Sequence, residues 1–227
     1  PIYMKMSEGI YIEHKNDTFN NMFYIEEEKR GFYPEENHTV SGVFEIEIPK
    51  KAEKEISFVC SFEENIDQIN VKKLIENEIV RQNEIYNKSL LIDNRKEKKT
   101  KKQLEEEQLI KDFITATDNF VVYRPSFRLH TLLAGYPWFL DWGRDSLISF
   151  EGLLLVTKRF DIAKEVLQTL VRDIKFGLVP NGYSGFDNRP LYNSVDASLL
   201  LFEQIQKYVE YTEDYEFVKE NLYEKLK

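Results

Sequence analysis

The chain has 227 residues, of which 42% are hydrophobic and 31% charged, a composition typical of soluble globular proteins that excludes disordered and fibrous chains. Its 40 acidic and 31 basic residues give a net charge of −9, which disfavours nucleic acid and anionic membranes as partners. One cysteine and three scattered histidines provide no disulfide and no metal-ligand set. No apolar run is long enough to span a membrane. We therefore expect a cytoplasmic protein without a metal or other cofactor.

Residues 1–70 show the period of β-structure. Hydrophobic and polar residues alternate over 44–48 and 56–62, as in strands that bury one face. Short apolar runs at 10–12 and 22–25 indicate two further strands. Several short strands separated by polar turns predict part of an antiparallel, sandwich-like β-domain.

A change of period at about Val71 marks a connector. Apolar residues then recur at helical spacing, and six basic residues between Arg95 and Lys102 are followed by acids at 105–107. Adjacent acids cancel the field of a basic run, so a solvated helix is favoured over a nucleic-acid patch. We interpret residues 71–103 as a charged helical linker.

The rest of the chain, 104–227, is predicted to be helical. Asp161 and Asp214 are candidate N-caps and Gly177 is a candidate C-cap. Phe202, Ile205, Gln206 and Val209 have the i, i+3, i+4, i+7 spacing of a buried helix face. The predicted helices are 104–122, 145–158, 161–176, 195–211 and one that starts at Asp214.

The loop 134–145 contains both tryptophans of the chain. Aromatic faces stack on pyranose rings, and carboxylates and guanidinium groups bind vicinal hydroxyls, so such a loop suits a sugar site. In the alternative interpretation, Trp138 and Phe139 are core residues and Arg144 and Asp145 form an ion pair at a helix start. The candidate sugar-binding residues of the loop are Tyr136, Trp138, Asp141, Trp142, Arg144 and Asp145.

A second polar segment follows a turn at Pro180-Asn181-Gly182 and includes Asn193 and Asp196. Asp196 stands at the start of an apolar helix. It is therefore either an N-terminal acid stabilised by the helix dipole or a catalytic carboxylate.

In this order, the segments 135–145, 180–182 and 192–198 resemble bacterial and archaeal glycogen debranching enzymes of the amylo-α-1,6-glucosidase type. Residues 116–122 are similar to the opening barrel helix of that family. Glu28-Lys29-Arg30-Gly31 is similar to a short motif of its N-terminal β-domain.

The resemblance implies an α+β chain, in which the C-terminal part of an antiparallel β-domain precedes the first helices of an (α/α)6 barrel. It implies inverting hydrolysis of α-1,6-glucosidic branch stubs in glycogen or branched maltodextrin. Asp196 matches the general acid. Trp138, Asp141, Trp142, Arg144 and Asp145 match a loop that resembles the innermost sugar subsite. Tyr136 and Asn193 are further substrate-binding candidates.

The resemblance also implies a longer protein. Its barrel has twelve helices and its general base would lie beyond Lys227, so this chain is expected to be an inactive fragment whose uncovered helices self-associate. The assignment of Asp196 meets one difficulty, because a helix N-terminus favours an ionised carboxylate whereas a general acid must hold its proton. Three alternatives stay open: a carbohydrate-binding or regulatory module without hydrolytic activity, a trehalase-like or other glucosidase, and a helical protein-interaction domain.

Overall fold

The computed structural model of the chain describes residues 1–92, 99–135, 139–184 and 187–227. These residues divide into two compact units, Pro1–Asn77 and Glu78–Lys227. Strands and helices both contribute substantially, which confirms the α+β class. In the described ranges, no helix has the length and apolar character required to cross a membrane.

The first unit contains two antiparallel pairs of strands. Strand β1 (Tyr3–Met6) pairs with β4 (Phe58–Ser61), and β2 (Ile10–Phe23) pairs with β3 (Glu35–Glu45). The short helix α1 (Ile25–Lys29) joins β2 to β3. The predicted β-structure is therefore present in this part of the chain.

Strand β2 replaces two predicted strands with one. The apolar runs at 10–12 and 22–25 looked separate because the residues between them are polar. The pairing continues through these residues with register shifts between Glu13 and Asp17 and between Phe19 and Met22. Asn16 and Asn21 have positive φ angles of 59° and 58° at these irregularities, a conformation that asparagine tolerates better than most residues.

Helix α2 (Val71–Lys88) follows, and α3 (Lys101–Asp118) begins after a capping box. The Thr100 side chain accepts a hydrogen bond from the Gln103 amide, and the Gln103 side chain bonds back to the Thr100 amide. The basic run at 95–102 lies partly in residues 93–98, which are outside the described residues.

A three-stranded antiparallel sheet interrupts the part of the chain predicted to be helical. Its strands, in the order β5-β6-β7, are β5 (Val121–Arg124), β6 (Leu129–Gly135) and β7 (Phe139–Asp141). The prediction of helix up to 122 is wrong at this end, because α3 stops at Asp118. Successive residues Thr131 and Leu132 of β6 are both buried, so this strand lacks the alternation that identifies a strand in sequence.

The remaining elements match the predicted helices within a few residues. Helix α4 (Gly143–Phe150) continues into a π-helical turn (Glu151–Leu155), and a small hairpin of β8 and β9 separates α5 from α6. Their bounds are α5 (Phe160–Arg172), β8 (Gly182–Tyr183), β9 (Pro190–Leu191), α6 (Asp196–Thr212), α7 (Tyr215–Phe217), a second π-helical turn (Val218–Leu222) and α8 (Tyr223–Leu226).

One of the three predicted helix caps is confirmed. Asp214 Oδ1 accepts a hydrogen bond from the Phe217 amide at 3.0 Å. The prediction for Asp161 is wrong, because α5 starts one residue earlier and Arg159 is its N-cap residue. Gly177 is not a C-cap, because α5 ends at Arg172; its φ of +75° belongs to the tight turn between Lys175 and Leu178.

The core of the second unit lies between α4, its π-helical extension, α5 and α6. The predicted buried face of α6 is wrong in its direction, since Phe202 is 56% exposed. The observed face keeps the same spacing of three and four residues, shares Ile205 with the predicted face and is turned by about one position. The residues that α6 buries are Ala197, Leu201, Gln204, Ile205 and Tyr208.

Truncation of Leu201 should test this packing. Leu201 is fully buried, whereas Leu199 on the same helix is 72% exposed. We expect Leu201→Ala to lower the free energy of unfolding by about 2–5 kcal/mol, because it leaves a cavity among packed side chains. Leu199→Ala should change it by less than about 0.5 kcal/mol. Urea unfolding measures both values, and equal losses would contradict the assigned face.

The ion pair at the start of α7 should make stability depend on pH. The Lys164 ammonium, 2.6 Å from Asp214 Oδ2, and then the Phe217 amide hold the pKa of Asp214 below its ordinary value of 3.8. The stabilisation is therefore complete above the ordinary value and is lost as the pH falls through the lowered one. Asp214→Asn keeps a capping oxygen and should reduce the loss of thermal stability in acid. An unchanged acid dependence would count against the pair.

Candidate functional site

The start of α4 is bonded to the turn that precedes β8. Gly143 N donates to Asn181 O at 2.8 Å, and Arg144 N donates to Asn181 Oδ1 at 3.2 Å. Trp142 also forms an antiparallel bridge with Gly182. Thus the aromatic loop and the Pro180-Asn181-Gly182 turn, which the sequence analysis treated separately, are in direct contact.

Only glycine fits at position 143. A Cβ atom there would lie 2.4 Å from Pro180 O, which is closer than atoms approach in real structures. The two backbones can therefore approach closely enough to hydrogen-bond because residue 143 has no side chain.

The residue that precedes this turn is bonded to α6. Val179 N donates to Ser198 Oγ at 2.9 Å, two residues after Asp196. The three segments that carry the resemblance are therefore brought together in the structure, although the first and last are about fifty residues apart in sequence.

Arg144 lies between two carboxylates. Its Nη1 is 3.7 Å from Asp196 Oδ2, and its Nε is 3.8 Å from Asp145 Oδ2. The three side chains are between 40% and 48% exposed. These separations are too long for hydrogen bonds, so neither carboxylate occupies the guanidinium donors.

Asp145 also faces a small apolar cavity. Its Oδ2 atom is buried and has no hydrogen-bond partner among the described residues. The cavity has a volume of about 260 Å3. Its other lining residues are Phe120, Leu133, Ala134, Ile148, Ser149 and Leu153.

Asp196 is the first residue of α6. The N-cap residue is Val195, which provides no capping side chain. Asp196 Oδ1 instead accepts hydrogen bonds from the next amide, Ala197 N at 2.9 Å, and from the Ser194 hydroxyl. Its Oδ2 faces Arg144. The structure thus makes Asp196 a first-turn acid with one oxygen directed towards a cation.

Asp141 is placed differently from the other acids of the loop. It is buried at the end of β7, and both of its oxygens bond to the Arg124 guanidinium. The Thr131 hydroxyl donates to the same carboxylate, and Arg124 also donates to Asn188 Oδ1 at 2.6 Å. This network fixes the strand that leads into Trp142.

Two arginines and two aromatic rings stack beside this network. The guanidinium carbons of Arg124 and Arg172 lie 4.2 and 3.7 Å from the Phe127 ring centroid, and the Tyr183 ring meets Phe127 edge-on. Burial, followed by the nearby Asp173 carboxylate, raises the pKa of Tyr183. Sequence reasoning missed this cluster, since its members are scattered over sixty residues and match no motif.

The remaining sequence candidates are located as follows. Trp142 is partly exposed and Asn193 is exposed. Tyr136 and Trp138 lie outside the described residues. Phe139 is 57% exposed, so the interpretation of this aromatic as a core residue is wrong.

Comparison with known proteins shows the family. Residues 115–227 match the model of the family described as amylo-alpha-1,6-glucosidase. This part of the chain belongs to that family. A glycogen debranching enzyme of Saccharomyces cerevisiae (strain ATCC 204508 / S288c) is 38% identical over 90 residues. That alignment covers 37% of this chain but spans only 6% of the yeast protein.

The matched residues include Arg144, Asn181 and Asp196. The family model begins inside α3 and does not include the first unit.

A substitution at Gly143 should show how tightly the two backbones are joined. We expect Gly143→Ala to lower the free energy of unfolding by about 1–3 kcal/mol, since the added methyl has no space. Gly152→Ala is the matched control in the helical extension of α4. A Cβ there meets no atom within 4 Å, so alanine should be neutral or stabilise by up to about 1 kcal/mol. Equal effects in thermal or urea unfolding would contradict the contact.

Proposed function

We propose that the full-length protein is a glycosidase that hydrolyses α-1,6-linked glucose at branch stubs of glycogen or branched maltodextrin. The single observation that carries this proposal is the joining of the three motif segments around Arg144, with a carboxylate on either side of it. The family match over the same residues supports it. The yeast relative is named a glycogen debranching enzyme, which fits a branched glucan as the substrate.

We propose that the sugar is held by Trp142, Arg144 and Asp145. Among the described residues the Arg144 guanidinium makes no hydrogen bond, the partly exposed Asp145 carboxylate lies beside it, and Trp142 offers a partly exposed ring. These groups can satisfy adjacent hydroxyls and stack on the apolar face of a pyranose. Tyr136, Trp138 and Asn193 belong to the same proposal.

Asp141 has a different task in this proposal. Its oxygens are already bonded to Arg124 and Thr131, so it orients the sugar-binding loop and does not bind hydroxyls itself.

We propose Asp196 as the general acid of an inverting mechanism. Such a mechanism uses two carboxyl groups, one protonated to assist the leaving oxygen and one ionised to activate water. Asp196 Oδ2 faces the Arg144 guanidinium, whereas Oδ1 accepts hydrogen bonds from the Ser194 hydroxyl and the Ala197 amide. A neighbouring ionised base would favour the protonated form of the acid, since two close carboxylates resist ionising together.

The general base is proposed to lie beyond Lys227, as the resemblance implies. A chain with one member of the pair has no means to activate water, so Pro1–Lys227 alone should not release glucose. The exposed Leu199 and Phe202 of α6 support the accompanying proposal that the isolated chain self-associates.

Replacement of the acid should separate its role from substrate binding. Asp196→Asn keeps the shape and hydrogen bonds but has no proton to donate. In the full-length protein it should lower kcat by about 100- to 10,000-fold with little change in KM. Glucosyl fluoride has a leaving group that needs little acid assistance and should largely restore turnover.

Arg144→Lys is the matched control for this experiment. It keeps the charge but loses the planar fork that binds two hydroxyls. Glucosyl fluoride as the substrate should therefore not restore the activity of Arg144→Lys. If the Asp196→Asn variant folds but turns over glucosyl fluoride no better than the branched substrate, Asp196 is not the acid. If Asp196→Asn unfolds the protein, the residue has a structural role at the start of α6.

A further inference from the structure

Helix α4 has no cap of its own. Its N-cap residue is Trp142, whose side chain makes no capping hydrogen bond. The first amides of a helix have no partner within the helix, so they need acceptors from elsewhere. Both acceptors come from Asn181, through its carbonyl to Gly143 N and through its side-chain oxygen to Arg144 N. The capping residue thus stands 37 residues after the amide that it caps.

Asn181 is itself held in place by its surroundings. It is buried, and its backbone amide donates to Leu191 O at 2.8 Å. Two residues earlier, Val179 N is bonded to Ser198 of α6. The turn is therefore tied on one side to the helix that presents Arg144 and on the other to the helix that starts at Asp196. Because its attachments are both short, the turn determines how far apart these two helix ends are.

We propose that Asn181 is a positioning residue that caps α4 from outside and thereby holds the Arg144 guanidinium beside Asp196. It touches neither substrate nor the reacting atoms, and it acts through Arg144. Its catalytic consequence rests on the proposed glucosidase function, whereas the capping itself does not.

The side-chain chemistry predicts which substitutions preserve the cap. Asn181→Ala removes the side-chain oxygen that accepts from the Arg144 backbone amide, and leaves this amide without its partner. Aspartate keeps an oxygen at the same place, and its negative charge is favourable near a helix N-terminus. Asn181→Asp should therefore retain the hydrogen bond to the Arg144 amide that Asn181→Ala loses.

Hydrogen–deuterium exchange of the full-length protein tests the cap without any use of activity. In Asn181→Ala, peptides that cover the first turn of α4 should exchange about 2- to 30-fold faster, the factor expected for a lost N-cap. Asn181→Asp should exchange like the unaltered protein. Thr169→Val is the control: it removes a buried hydroxyl that bonds to His130 O and Glu165 O, and should leave the first turn of α4 unchanged. Unaltered exchange in Asn181→Ala, or equal acceleration in Thr169→Val, would overturn the proposal.

A double-mutant cycle tests whether Asn181 acts through Arg144. Alone, Asn181→Ala should lower kcat/KM about 10- to 100-fold, as misplacement of a binding group does, and glucosyl fluoride should not restore it. In an Arg144→Lys background the same change should cost little more, since the group that it positions is already impaired. Fully additive losses of kcat/KM, or restored activity of Asn181→Ala on glucosyl fluoride, would overturn the proposal that Asn181 acts through Arg144. If the unaltered protein releases no glucose, the proposed function fails, while the exchange result still decides whether Asn181 caps α4.

Discussion

The close approach of two backbones, at Gly143 and at the 180–182 turn, is the constraint on which the rest of the site depends. Because residue 143 has no side chain, the Pro180 carbonyl can pack directly against it. The backbone and side-chain oxygens of Asn181 then accept hydrogen bonds from the first amides of α4. The helix that begins there presents Arg144 and Asp145, and its buried side, with Leu147 and Phe150, enters the core. A single contact therefore couples the geometry of the charged groups to the packing of the second unit.

Support on the other side comes from the ion pair of the partly buried Arg124 and the buried Asp141. An isolated charge inside a protein is costly, so a buried carboxylate persists only when its partners satisfy it. Here Asp141 accepts hydrogen bonds from Arg124 at the end of β5 and from Thr131 of β6, and Asn188 in the loop before β9 accepts from Arg124. The network holds the end of β7 in one position, and Trp142 follows directly. Loss of one partner would leave the other charge uncompensated, so this pair stabilises the structure beside the candidate sugar site.

The sequence was most informative where chemistry is local. The helices of the second unit could be predicted because their apolar residues recur at a fixed period, and the Asp214 cap because it precedes its helix directly. The strands β5 to β7 could not, since burial on both faces removes the alternation from β6. The face of α6 was placed about one position wrong because several apolar residues, such as Phe202, point to solvent. The candidate site residues were visible as residue types, but their connection through Asn181 depends on long-range contacts that no local pattern records.

In the proposed function, the groups around Arg144 serve the hydrolysis of an α-1,6-glucosidic bond with inversion. Proton NMR of the full-length protein acting on a branched dextrin with single α-1,6-glucosyl stubs tests it most directly. Inversion at an α-linked glucose predicts that β-glucose accumulates first and then mutarotates. Initial release of α-glucose, or no glucose at all from the stubs, would contradict the account.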